Sequence, residues 1–129
     1  MEIPLRAALI GWLGSDASLC AMLNSITEEA PSRTALPWLA IATSASLDWS
    51  TKTETGYEIR IALELHLRGD RPADGDGLTS AIQARLAATP RDQGSYRIVT
   101  LQFLRSRAEQ RANNTRAMLL EYRFRTINA

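Results

Sequence analysis

The sequence predicts an α+β domain, a four-stranded, mainly antiparallel sheet with helices packed on one face, in the order α-α-β-β-α-β-β. Three observations carry that reading. Residues 57–67, "YEIRIALELHL", alternate strictly between apolar and polar side chains, the period of a strand with one buried face. Two further alternating runs close the chain. Helical spacings of three and four occupy its start and its middle.

In "PLRAALIGWL", Leu5, Leu9 and Trp12 share one helical face, and Pro4 suits a first turn. "GSDASLCAMLN" restarts the pattern with Ser15 as a cap and Leu19, Met22 and Leu23 along one side. This predicts two short helices, or one broken at Gly14. Residues 24–37 carry Pro31, Pro37 and Ser32 and read as loop. A strand over about Trp38–Ala45 follows, then the polar stretch "LDWSTKTETG", then the long strand. Its apolar phase is Tyr57, Ile59, Ile61, Leu63, Leu65 and Leu67, each contributing roughly 1.5–3 kcal/mol if buried. Its polar phase is Glu58, Arg60, Ala62, Glu64, His66 and Arg68.

"GDRPADGDG" is a turn cluster in which Asp76 or a neighbour caps a helix over about 77–88, with Leu78, Ile82 and Leu86 on one stripe. In "SYRIVTLQFLRSR", Val99, Leu101 and Phe103 share a side. In the last run Met118, Leu120, Tyr122 and Phe124 oppose Leu119, Glu121, Arg123 and Arg125. "RAEQRANNT" between them reads as a long hairpin loop. Mid-strand charges are explained by opposite-sign pairing across neighbouring strands of a wet face.

A length of 129 residues, 45% of them hydrophobic and 22% charged, fits one globular domain over 1–129. No apolar run reaches membrane-spanning length, so no membrane partner is expected. The N-terminus lacks the pattern of a signal peptide, and the single cysteine suits a reducing compartment. A formal charge of +1 gives no global field toward nucleic acid. From Arg91 onward, eight arginines face only Asp92, Glu109 and Glu121. Arginine-specific contacts and a GC-rich coding bias both account for that excess.

Reactive chemistry has little material. One histidine and one cysteine leave a metal site without ligands, and no cofactor is expected. His66 falls in the polar phase of its strand, where exposure is the default. Cys20 lies beside an apolar helical stripe and reads as a small buried thiol. No nucleophile elbow or phosphate-binding glycine loop is present. The acid pairs Glu28-Glu29 and Asp74 with Asp76 lie in turn-like segments and read as solvated acids or caps. "RGD" at 68–70 and "NNT" at 113–115 are chance matches. Trp49 in its polar setting either folds back onto the domain or anchors an interface. These features describe an assembly component better than an enzyme.

The stretch "LPWLAIATSASLDWSTKTETGYEIRIALELHLRG", with the later "YRIVTLQFLRSR" and "LLEYRFRT", resembles the tail-completion, or tail-terminator, proteins of long-tailed phages and phage-derived gene transfer agents. The resemblance covers nearly the whole chain, and "DWSTKT" is its most specific part. The exit of the long strand, His66-Leu67-Arg68-Gly69, departs from it, since family members often carry another aromatic there.

The resemblance implies a non-enzymatic role in the tail-neck region of a particle assembled in a bacterial cytoplasm. Subunits would form a ring, typically a hexamer, on the head-proximal end of the tail tube. The ring would stop tube polymerisation and dock the connector proteins of the head, with DNA passing through its central hole without sequence specificity. Partners would thus be the chain itself, the tail tube protein and a head-tail connector or stopper. Contact residues would be Asp48, Trp49, Ser50, Thr51 and Lys52, with "RSRAEQRANNTR" as a second element; Arg105, Arg107, Arg111, Arg116, Arg123 and Arg125 are the basic candidates. The alternatives are a head-tail stopper or other neck protein, and a small α+β ligand-binding domain.

Overall fold

A computed structural model of the chain describes residues 1–69 and 74–129. Helices α1 (Glu2–Gly14) and α2 (Ala17–Met22) precede strands β1 (Ser25–Thr27), β2 (Trp38–Asp48) and β3 (Gly56–Arg68). Helix α3 (Asp74–Ala87) and strands β4 (Tyr96–Arg111) and β5 (Thr115–Asn128) complete it. The α+β class is as expected, but the sheet has five strands in the order β1-β2-β3-β5-β4 and is mixed. The extra strand β1 lies in the segment expected to be loop and pairs parallel with Trp38–Ala40. Three residues are too few for alternation to show in sequence. What holds β1 there is Asn24, whose amide donates to the carbonyls of Ala35 and Leu36 at 3.0 and 2.9 Å.

The helices cover one face of the sheet. Leu5, Leu9 and Leu13 of α1, Leu19 of α2 and Leu78, Ile82 and Leu86 of α3 pack on Ile59, Ile61, Leu63 and Leu65 of β3 and on Leu120, Tyr122 and Phe124 of β5. Trp12, expected on the buried stripe, yields that place to Leu13 and sits half-buried at the rim. There Trp12 Nε1 donates to the Arg85 carbonyl at 2.7 Å, and the Arg85 guanidinium lies 3.3 Å over the indole. Arg85 also donates to the Trp12 carbonyl, so one arginine pins α1 to α3.

Several local expectations are corrected. Asp16, not Ser15, caps α2, its Oδ1 accepting from the Ser18 and Leu19 amides; Ser15 Oγ instead donates to the Trp12 carbonyl. Met22 and Cys20 are exposed because α2 is only six residues long and buries little beyond Leu19. Asp76 lies within the first turn of α3 rather than before it. The turn cluster falls partly at residues outside the described ones, as does the end of the "RGD" tripeptide.

The C-terminal hairpin differs most. "RAEQRANNT" is not a loop: β4 runs to Arg111, and only 112–114 turn, with Asn113 and Asn114 both at positive φ. Asparagine tolerates that conformation better than other non-glycine residues. β4 carries bulges at Val99 and Leu104, so Ile98, Leu101 and Phe103 share the helix side and Val99 drops out of phase.

Candidate interaction surfaces

The helix-free face is built from facing residues of β2, β3, β5 and β4. Going from one end of the strands to the other, the rows are Leu47–Glu58–Arg125, Ala45–Arg60–Arg123–Gln102, Thr43–Ala62–Glu121–Arg105, and Ala40–Glu64–Leu119–Arg107. Trp38, His66, Ala117 and Glu109 form a further row. Some charges pair across strands as expected and others along one strand, while Arg60 faces Arg123 and meets Glu58 of its own strand at 3.8 Å. Arg125 meets Glu58 at 3.0 Å, Arg105 bonds Glu121 and Arg123 bonds Gln102. Arg111 reaches Glu64 at 3.2 Å and Glu109 at 2.9 Å, and Arg107 lies 3.6 Å from Glu109. Arg116 does not belong to this set, since it points to the opposite side in register with Leu67.

The face is drier than a wet-face reading expects. Ala62, Leu119, Ala117 and Trp38 are buried on it, and Glu64 is 9% exposed. Long arginine side chains over small alanines shut water out. His66 is therefore not exposed: its ring sits 4.8 Å from Trp38, and its Nδ1 lies 3.8 Å from Glu64. Burial, with help from Arg111, holds its pKa below the ordinary value, against the opposing pull of Glu64. The unfolded chain then takes up the proton first, so stability falls as pH drops through the histidine range. Lowering the pH from about 7.5 to about 5.5 lowers the urea midpoint, and His66→Gln removes that step. A midpoint unchanged over this window in the parent protein contradicts the assignment.

The polar stretch after β2 is a self-bonded hairpin loop. Asp48 Oδ1 accepts from the Ser50 amide at 3.2 Å and the Ser50 hydroxyl at 2.6 Å. Ser50 Oγ accepts from the Gly56 amide at 3.0 Å. Thr51 Oγ1 accepts from Glu54, whose carbonyl takes the Thr51 amide at 2.9 Å. The base closes through Trp49 N–H to the Gly56 carbonyl, and Asn128 N–H binds the Thr55 carbonyl. Among the described residues Lys52, at the tip, has no acidic partner within bridging distance.

Trp49 combines features of its two readings, resting partly on its own domain and partly in the open. Its ring shares the helix-free side with Arg125, whose guanidinium lies 5.2 Å from the centroid, yet 37% of the residue stays exposed. Leu47, 63% exposed, stands beside it. The structure thus joins Trp49 and Arg125, while Arg107 and Arg111 run toward the β4–β5 turn. That turn docks on the other end of β3, where Gly69 N–H binds the Asn114 carbonyl at 2.8 Å.

Sequence reasoning overlooked the exposed apolar residues Ile3, Leu47, Val99, Phe103 and Leu104. Leu47 was findable, being in phase with Trp49. Leu104 was not, because a bulge changes its side. A groove of about 270 Å³ crosses the middle of this face, floored by Ala45 and Ala62 and flanked by Arg60, Leu104 and Arg105. Among the described residues no His, Cys, Asp and Glu group is placed to hold a metal ion. No helix there is long and apolar enough to cross a membrane.

Comparison with known proteins gives a fold likeness and a family. The chain is similar to a solved structure described as the virion of a native gene transfer agent (GTA) particle, with a TM-score of 0.79 and 24% identity, covering 97% of this chain and 95% of that one. At this identity the likeness is one of fold. No curated protein matches the sequence. The family model for tail completion protein gp17 matches residues 7–127. A match over nearly the full length means that the chain belongs to the tail completion protein gp17 family, whose members are structural tail proteins and not enzymes.

Proposed function

We propose that this chain is a tail terminator, acting as one domain over residues 1–129. Copies assemble into a ring, six-membered by the resemblance, on the head-proximal end of the tail tube. The ring stops tube growth, offers the joining surface for the connector proteins of the head and leaves a central hole for DNA. It resides in the tail-neck region of a virion or phage-like particle and is assembled in the host cytoplasm.

The observation that carries this reading, beyond the family, is the separation of two ordered turns. The 49–55 loop and the 112–114 turn cap opposite ends of β3. At ~3.3 Å per residue the strand sets them about 40 Å apart. A ring subunit between a tube and a connector needs one contact element at each end. Asp48, Trp49, Ser50, Thr51 and Lys52 are the contact residues at the first end. Arg107 and Arg111 lead to the second, while Arg105, Arg123 and Arg125 line the face between; Arg116 lies on the other side of the sheet. The self-bonded loop supports this role because little conformational entropy is left to lose on docking.

Tube assembly in vitro tests the reading. Purified tube protein polymerised with a small molar fraction of this chain gives tubes of arrested growth with the chain at one end only. Tubes that grow equally long with it, or bind it along their walls, contradict the proposal. A chain that binds connector assemblies but not tube ends is a stopper instead.

A further inference from the structure

We infer that Arg60 and Arg123, side by side on the helix-free face, form a binding site for the carboxylate of an acidic side chain on a partner protein. The site goes beyond the ring reading and does not depend on it. Arg60 of β3 stands directly opposite Arg123 of β5 in the register. Like charges at facing positions of an antiparallel pair are destabilising, and opposite charges are the ordinary choice. Proteins break such local rules mainly where function requires it.

The neighbouring carboxylates do not relieve the pair. Glu58 accepts from Arg125 Nε at 3.0 Å, and Arg60 Nε stays 3.8 Å from the other oxygen, beyond hydrogen-bond reach. Glu121 is engaged by Arg105 through both of its oxygens. Arg123 bonds the neutral amide oxygen of Gln102. Its Nε is shut off from solvent and meets no acceptor among the described residues. Arg60, Arg105, Arg123 and Arg125 thus share two carboxylates, Glu58 and Glu121. The positive charge left over lies on Arg60 and Arg123.

The surroundings select the anion. The groove beside the pair, of about 270 Å³, is floored by Ala45 and Ala62 and walled by Leu104. Small apolar side chains there receive methylenes. The Arg60 side chain, 59% exposed, can lay its planar guanidinium fork against a carboxylate. A glutamate or aspartate matches that lining, with one charge at the end of a short apolar stem. A nucleic-acid backbone matches it poorly. Glu58, Glu64, Glu109 and Glu121 are interspersed over the same face, so a row of phosphates laid across it meets these acids as well as the arginines.

Two measurements on the isolated chain test the site. Arg60→Gln raises Tm by about 2 °C, because the facing charge is relieved and the loose contact with Glu58 contributes little. A lower Tm would make Arg60 a structural partner of Glu58 and overturn the proposal. The second is nuclear magnetic resonance of the arginine Nε–H signals, at constant ionic strength. Millimolar N-acetyl-glutamate methylamide moves the Arg60 and Arg123 signals together, and its uncharged glutamine analogue leaves them in place. Arg60→Gln weakens the acidic probe about tenfold. Equal shifts with the glutamine analogue, or no shift with the acidic probe, would overturn the site. A short DNA duplex or inorganic phosphate that moves the same signals at lower concentration would overturn the choice of a protein carboxylate.

Discussion

Trp49→Ala keeps a native circular dichroism spectrum and lowers tail completion roughly 30-fold or more, the loss expected for an interface anchor of at least ~2 kcal/mol. The fold survives because the loop is held by its own polar groups. Asp48, Ser50 and Thr51 close it through side chains, and Gly56 closes it through backbone. The indole contributes to the monomer chiefly through Arg125, a partly exposed cation–π contact of about 0.5–1 kcal/mol. The effect therefore appears in tube capping, with thermal stability nearly unchanged. Loss of the fold in this variant would make Trp49 a core residue and remove it from the interface.

Gly56→Ala has the larger structural effect, a destabilisation of about 3 kcal/mol, at the upper end for overpacking. A methyl group there would come within 2.8 Å of the carbonyl oxygens of Thr126 and Trp49 and 2.9 Å from Ile127 Cδ1. Two of these three are backbone atoms and cannot rotate away. The substitution forces apart β2, β3 and β5 at the point where the loop is fastened. Thermal unfolding reads it as a drop of roughly 10 °C in Tm for a chain of this size. A Tm within a degree or two of the parent would contradict the packing.

Much of this architecture was legible because periodicity reports burial directly. The strand 57–67, the α3 stripe of Leu78, Ile82 and Leu86 and the β5 phase of Met118 to Phe124 all follow from one buried side per element. The departures have particular causes. β1 is too short to alternate, and its position depends on Asn24 reaching carbonyls more than ten residues away. The bulges at Val99 and Leu104 shift the phase of β4 without any mark in composition. The hairpin turn at 112–114 hid among polar residues because long edge strands carry charge on both sides. His66 and Cys20 exchanged their expected environments. A strand's polar phase can be buried under arginine side chains, and a six-residue helix can expose its flank.

The candidate surfaces were legible only in part. "DWSTKT" stood out by its tryptophan and by resemblance, whereas the facing of Arg60 and Arg123 needs the strand order, which no local pattern encodes. That order also shows that Arg123 and Arg125 have partners within the subunit, so reversing them would disturb the fold as well as any contact.

The central claim is a ring at the head-proximal end of a tail tube. Electron microscopy of tubes assembled with this protein tests it most directly, with class averages taken at the tube tips. The account predicts a ring with a central hole stacked on one tip, its subunits presenting the 49–55 loop to one side and the 112–114 turn to the other. Bare tips, with the protein found as a solid monomer in solution, would contradict it.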